Sequence, residues 1–188
     1  IDGTIQSRPD CGIYQEPMNV NDIYVSACRG AFDRNTTEVR LIDWLENVRP
    51  EQPRNDWEKK QLPAIMPHGL FLNRRQDTFQ THSGLVQIDI DAKHQPDGMD
   101  VDKVLHSAAY SEYIVAAGKS CSGTGVYMLV AVDGIEQDNF RECADRAIQY
   151  VEKAFDVVCD SPVSMNLSSL RFASPFAPYI NLDPTPIP

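Results

Sequence analysis

No stretch of this chain approaches the roughly 18 consecutive apolar residues that a membrane-spanning helix needs, so a helical integral membrane protein is not expected. No signal peptide is visible either, because the opening run IDGTIQSRPD is polar. The chain starts at Ile1 rather than Met, as expected of a trimmed chain or an excised domain, and a leader removed earlier is compatible with it. Cysteine is sparse: Cys11, Cys28, Cys121, Cys143 and Cys159 are odd in number and widely spaced. With no C-x-x-C pair, a zinc ribbon or a thioredoxin-type site is not expected, and reduced thiols of a cytoplasmic protein are. The four histidines, His68, His82, His94 and His106, form no H-E-x-x-H pair, and G-x-S-x-G is absent. A Walker A loop would need glycine at position 113, where Tyr113 stands. Basic charge is also short, 17 Lys and Arg against 27 Asp and Glu, for a net charge of -10. Nucleic-acid binders usually show the opposite balance, because phosphate contacts dominate their affinity. An acidic chain can still bind nucleic acid through a local basic groove and bound cations.

There is no internal repeat and no low-complexity tract, and 188 residues with a hydrophobic fraction of 42% suffice for one core. One domain over residues 1–183 is expected. The last stretch, Asp183 to Pro188, reads DPTPIP, and prolines so dense cannot continue a helix or a central strand. Residues 184–188 therefore read as the Pro-rich edge of a linker. Alternation predicts a strand over Asp22–Cys28, and Leu41, Leu45 and Val48 predict a helix over Thr37–Val48 with Asn35 or Thr36 as its cap. A short helix is expected around Trp57–Gln61, and short strands at Ala64–Met66 and Leu70–Leu72. From Leu85 onward strands and helices interleave. Strands are expected at Leu85–Asp91, Tyr113–Ala117, Val126–Val132, Val157–Cys159 and Leu170–Ala173, with helices after Asp100 and over Phe140–Phe155. The expected fold class is α/β (α+β): a mixed β-sheet, partly antiparallel through a hairpin at Gly118–Gly125, with packed helices.

Three features carry possible chemistry. In Leu85–Asp91 the side chains alternate, so Val86, Ile88 and Ile90 share one face and Gln87, Asp89 and Asp91 the other. Carboxylates at i and i+2 lie roughly 7 Å apart at about 3.3 Å rise per residue. Their repulsion is relieved by hard cations held between carboxylates and substrate phosphates. The plainer alternative is a strand with a solvated face. Second, the loop Gly118-Lys119-Ser120-Cys121-Ser122-Gly123-Thr124-Gly125 can offer backbone N–H groups, hydroxyls and the Lys119 charge to phosphate, or it is simply a hairpin turn. Third, Arg171 lies in an apolar stretch, where a charge is costly unless paired. It either grips a triphosphate bidentately or forms a structural pair, with Asp160 as the candidate partner. His94 could reach the Asp91 site or lie exposed in a loop.

Taken in order, a hydrophobic-Asp-hydrophobic-Asp strand, a helix, Ser120-x-Ser122-Gly123-x-Gly125, Asp160 and Arg171-x-x-Ser-Pro resemble the archaeo-eukaryotic primase (primase-polymerase) superfamily. The segments Lys60–Ile65, Gly69-x-Phe71, Ser83–Asp91 and Arg171–Pro175 are similar, more narrowly, to the VirE N-terminal-type domain of Bacteroides and their mobile elements. The resemblance implies an RRM-like core and a nucleotidyltransferase site for DNA replication. It makes Asp89, Asp91 and Asp160 the catalytic ligands of Mg²⁺ or Mn²⁺. Lys119, Ser120, Ser122, Gly123, Tyr127 and Arg171 would contact the nucleotide. Implied partners are nucleotides, single-stranded DNA and a helicase domain in the same chain or operon. The superfamily offers a histidine after the Gly loop, and Tyr127 stands there. It can hydrogen-bond but cannot carry positive charge, so metal and phosphate binding is the stronger expectation than catalysis. A catalytically inactive nucleic-acid-binding or docking module is the alternative.

Overall fold

The computed structural model describes residues 18–188; Cys11 and the polar opening run lie outside them. The elements are β1 (Tyr24–Cys28), β2 (Thr37–Arg40), α1 (Leu41–Asn47), α2 (Asp56–Gln61), β3 (Ala64–Met66), β4 (Gly69–Phe71), β5 (Phe79–His82), β6 (Leu85–Asp91), α3 (Val101–Ala108), β7 (Ile114–Lys119), β8 (Gly125–Ala131), α4 (Phe140–Phe155), α5 (Ser161–Ser164), β9 (Arg171–Phe172) and β10 (Tyr179–Ile180). They form a sheet in the order β2-β1-β3-β9, a sheet in the order β10-β7-β8-β6, and a β4-β5 hairpin. This is an α+β fold. All pairings between these named strands are antiparallel. Among the described residues, parallel pairing is limited to an isolated bridge between Val132 and Ile187. Through it residues 184–188 lie along the sheet, with Ile187 packed on the core.

The alternation in β6 decides the layering. Val86, Ile88 and Ile90 pack with Val104, Leu105 and Ala108 of α3 and with Phe140, Ala144, Ile148 and Val151 of α4. Leu85, on the opposite face, joins Val115, Leu129 and Ala131 against Val25, Leu41, Leu45 and Ile65. The β10-β7-β8-β6 sheet thus has helices on one face and the other sheet on the second. Because both faces are covered, Gln87 is fully buried, although the sequence makes it a polar residue on the carboxylate face.

Strands β6 and β7 run parallel with β8 between them, joined by α3, as in a split βαβ unit. The expected fourth strand, Val157–Cys159, does not form a ladder. It does run beside β6, where the Asp160 N–H donates to the Asp89 carbonyl at 2.8 Å. The Val157 N–H donates to the Glu152 carbonyl at 3.4 Å and the Cys159 N–H to Glu152 Oε1 at 3.0 Å, while both backbone groups of Val158 are satisfied by another side chain. The Gln95 amide accepts from Val158 N–H at 2.7 Å and donates to Val158 C=O at 2.8 Å and to Asp91 C=O at 3.1 Å. A side-chain amide thereby stands in for a strand neighbour.

The helix expected over Thr37–Val48 begins later, at Leu41. Thr37–Arg40 pairs with β1 instead, so Asn35 and Thr36 are not its caps. A β-branched run with a partner strand available favours the ladder over the first helical turn. The α4 expectation holds over its whole length, because its apolar stripe is unbroken from Phe140 to Val151. Strand β5 carries too little periodicity to be seen in the sequence.

Candidate functional site

The carboxylate face of β6 emerges at the open end between the two sheets. There the Gly118–Gly125 turn, the start of α5, α2 and β9 meet. They enclose a cleft of about 170 Å³ that is lined by Asp89, Asp91, Ser120, Ser122, Asp160 and Arg171. Six of the nine site residues singled out from the sequence are therefore brought together. Lys59 and Thr124 complete the polar lining; sequence reasoning read Thr124 only as part of the hydroxyl-bearing loop and passed over Lys59. Thr124 belongs to the same alternating hydroxyl set as Ser120 and Ser122, which was the available signal. For Lys59, on a short polar helix, there was none.

The turn's local chemistry explains its shape. Ser120 N–H donates to Gly125 C=O at 2.8 Å, and the Ser120 hydroxyl accepts from Gly125 N–H at 3.1 Å. Ser120, Ser122 and Thr124 hydroxyls then form a chain, with O···O distances of 3.1 and 3.0 Å. Gly125 stands opposite Asp91 in register, and a Cβ there would lie 2.7 Å from the Ile90 carbonyl oxygen. Glycine thus lets the hydroxyl-bearing turn approach β6. Gly123 adopts φ +80, which L side chains rarely accept.

Asp89 is not a bare carboxylate. Its Oδ1 accepts from Arg171 Nη1 at 2.5 Å and its Oδ2 from Gln87 Nε2 at 3.1 Å. The partner of Arg171 is therefore Asp89, not Asp160: β9 joins the second sheet through β3, and this directs the guanidinium at the face of β6 that carries Asp89. The Arg171 side chain is only 5% exposed. Its Nε donates to the Phe172 carbonyl at 3.2 Å, and its guanidinium lies 4.6 Å from the centre of the Tyr127 ring. Tyr127 faces Asp89 across β6–β8 and Gly118 across β7–β8. A Cβ on Gly118 would touch that ring at 2.8 Å, so Gly118 makes room for it. Burial pushes the Tyr127 phenol up to about 12, against the nearby guanidinium, so it stays protonated at neutral pH.

Asp91 is paired with the exposed Lys93 ammonium at 2.7 Å. Partial burial opposes its ionisation, but the Lys93 ammonium and backbone N–H outweigh this and hold its carboxyl below the usual value. His94 is exposed and lies outside the cleft lining. Lys119 is turned away: next to Gly118 along β7, it falls on the helix side of the sheet and pairs with Asp102 of α3 at 2.9 Å. Tyr127 and Gly123 are adjacent to the cleft without lining it.

Behind Asp89 lies a buried relay. His68 is fully buried; its Nε2 accepts from Gln87 N–H at 3.0 Å, which makes Nδ1 the protonated nitrogen, 3.0 Å from Leu167 C=O. Burial lowers its pKa to about 4, and burial together with the neighbouring His68 lowers that of His82 to about 3.

Among the described residues, no three His, Cys, Asp or Glu side chains converge as a ready-made ligand cage. The donor set suits a hard cation in another way. Mg²⁺ is commonly held by one or two carboxylates, with waters and substrate phosphates completing its shell. Asp91 and Asp160 can supply the carboxylates, and the hydroxyl chain lines the same cleft.

The fold and cleft define an α+β protein with a polar site where paired carboxylates, hydroxyls and buried guanidinium meet. The family model of the BT4734-like N-terminal domain matches residues 57–166, more than half of the chain, and the chain belongs to that family. This corrects the resemblance to the VirE N-terminal-type domain and the primase-polymerase superfamily, since the matching family is a different one. The motifs behind that resemblance are short, and an Asp-x-Asp strand end with a Gly/Ser hairpin arises in many α+β sheets. No curated protein and no solved structure matches the chain. Among the described residues, no helix is long and apolar enough to cross a membrane.

Proposed function

We propose that the cleft binds the phosphates of a nucleotide together with one Mg²⁺ or Mn²⁺. The observation that carries this is the convergence of Asp91 and Asp160 with three linked hydroxyls and two cationic side chains in one cleft of about 170 Å³. A cation would sit on the two carboxylates, and the phosphates would complete its shell. Ser120, Ser122 and Thr124 would donate to phosphate oxygens, while Lys59 balances part of their charge and Arg171 stays paired with Asp89. The volume suits phosphates and a hydrated cation, so the nucleoside would extend outside.

Titration calorimetry with a nucleoside triphosphate and Mn²⁺ tests the proposal. Wild type is expected to bind only with Mn²⁺ present, and Asp91→Asn to lose that binding. Asp91 is the right position because its partner Lys93 is exposed, so folding survives the change. Equal binding by Asp91→Asn would sink the reading.

Binding without turnover is favoured over nucleotidyl transfer by the state of Arg171. It is buried, its Nη1 donates to Asp89, its Nε donates to the Phe172 carbonyl and its guanidinium lies against Tyr127, so its charge is committed to the fold. In this reading a partner enzyme, such as a replicative helicase in the cytoplasm, performs the chemistry. Primer extension with Mn²⁺ decides: extension supports transfer, and its absence with intact nucleotide binding supports a binding module.

A further inference from the structure

Across the Asp89–Arg171 pair from the cleft lies a second groove of about 440 Å³, walled by α2, β9 and the turns at Arg74 and Asn166–Leu170. Its polar lining differs from the first. The one carboxylate is Asp89, already neutralised by Arg171. Facing it are Lys59 and Arg74. Lys59 Nζ lies 5.9 Å from the Phe172 ring centre. Two buried polar atoms of the lining have no hydrogen-bond partner: Arg74 Nε and the hydroxyl of Ser169, a residue only 7% exposed. A donor-rich pocket with unsatisfied buried donors lacks an acceptor, and buried polar groups are rarely left so.

The surface beside this groove carries two exposed aromatic side chains in contact. Phe32 and Trp57 are 62% and 66% exposed and lie against each other with ring centres 5.6 Å apart. They are tied to the groove by backbone. Arg74 Nη1 donates to the Ala31 carbonyl, Ala31 N–H donates to the Lys60 carbonyl at 2.7 Å, and Trp57 shares α2 with Lys59. Eight of the 17 basic residues fall in these segments: Arg29, Arg34, Arg54, Lys59, Lys60, Arg74, Arg75 and Arg171. Arg54, Lys60, Arg75 and Arg171 are held in salt bridges with Glu58, Asp56, Asp77 and Asp89, and Arg29, Arg34, Lys59 and Arg74 stand outside these pairs near the aromatic pair.

We propose that this groove and aromatic pair bind single-stranded nucleic acid. A backbone phosphate would sit between Arg74, Lys59 and the Ser169 hydroxyl, and a base would stack on Trp57 and Phe32. Stacking platforms beside a cationic track are the general means of holding single strands without reading sequence. Lys59 lines both the groove and the cleft, but Trp57, Arg74 and Ser169 do not line the cleft, and binding here needs neither a divalent ion nor a nucleotide.

The probe is a fluorescein-labelled oligothymidylate, titrated by anisotropy in EDTA at several salt concentrations. Trp57→Ala is expected to bind about tenfold more weakly, as for loss of one stacked base. Arg74→Gln is expected to lower the slope of log K against log salt by about 0.7, as for one phosphate contact on a single strand. Ser169→Ala removes an atom with no protein partner, so it leaves the fold intact and weakens binding severalfold. No saturable binding by wild type at low salt overturns the proposal, as does binding that Trp57→Ala and Ser169→Ala leave unchanged. Because EDTA removes divalent ions, failure here says nothing about Mn²⁺-nucleotide binding in the cleft, which the calorimetry tests separately.

Discussion

Replacing Asp89 by alanine tests the electrostatic centre of the site. Arg171 keeps its place, with 5% of its side chain exposed, but loses the carboxylate at 2.5 Å. Its remaining contacts are the Phe172 carbonyl and the Tyr127 ring, and neither neutralises a full charge. Breaking a buried pair from one side costs about 3–5 kcal/mol. Asp89 is 26% exposed to the cleft, so water can approach the orphaned guanidinium, and the low end, about 3 kcal/mol, applies. With a denaturant slope of about 2 kcal/mol/M, the urea midpoint should fall by about 1.5 M. The double variant Asp89→Leu/Arg171→Met removes both charges and should recover most of that loss, since apolar replacement of a buried pair is often neutral or stabilising. Urea denaturation followed by fluorescence measures both. A midpoint shift below about 0.5 M for Asp89→Ala, or a double variant no more stable than the single one, would refute the argument. Asp89→Ala is therefore a poor test of ligand binding, because it confounds binding with folding.

Acid should weaken the fold through His68. Its pKa of about 4 in the fold, against 6.5 ordinarily, means that the unfolded chain binds more protons between these values. Stability is therefore complete above pH 6.5 and falls as pH drops toward 4, by about 3 kcal/mol at 1.36 kcal/mol per pKa unit; His82 acts in the same direction. Urea midpoints at pH 7 and pH 4.5 check this, and a His68→Gln variant with an equal pH dependence would count against it. Gly125→Ala should destabilise by about 1–3 kcal/mol, as expected of overpacking, because its Cβ meets the Ile90 carbonyl oxygen at 2.7 Å; thermal melting reads it. Gln95→Ala should cost roughly 1 kcal/mol and speed amide exchange at Val158, whose N–H it holds. An unchanged exchange rate there would show that the side chain does not hold the segment beside β6.

The sequence made legible what depends on period alone. Alternation in Leu85–Asp91 put the apolar residues on the helix side and the carboxylates on the other, and the long stripe of α4 was read to its ends. What it could not convey is what covers each face. Gln87 looked like part of a polar face, yet a second sheet buries it, because β1 and β3 arrive from a distant part of the chain. The partner of Arg171 was out of reach for the same reason. Asp160 is nearer in sequence, but β9 joins the second sheet and aims the guanidinium at Asp89, 82 residues away. Lys119 was misplaced by one step of alternation: Gly118 and Ser120 face the cleft side, and the residue between them cannot. Val157–Cys159 has the composition of a strand, and the chain lies where a strand would, but Gln95 takes both backbone groups of Val158 and Glu152 takes the N–H groups of Val157 and Cys159.

The family match clarifies which parts of the site belong together. Residues 57–166 contain the carboxylates, the hydroxyl turn and Lys59. They do not contain Arg171, nor Val25, Leu41 and Leu45, which cover Leu85, Leu129 and Ala131. The matched segment alone would expose one face of its own sheet and leave Asp89 without its counter-charge. The flanking residues thus complete the core and set the charge state of the cleft. With Arg171 in place, Asp89 enters the site already neutralised, and under the proposed function a cation would have to be held by Asp91, Asp160 and the phosphate that comes with it. The cleft's affinity for metal should then depend on the nucleotide, so Mn²⁺ without nucleotide is expected to bind weakly.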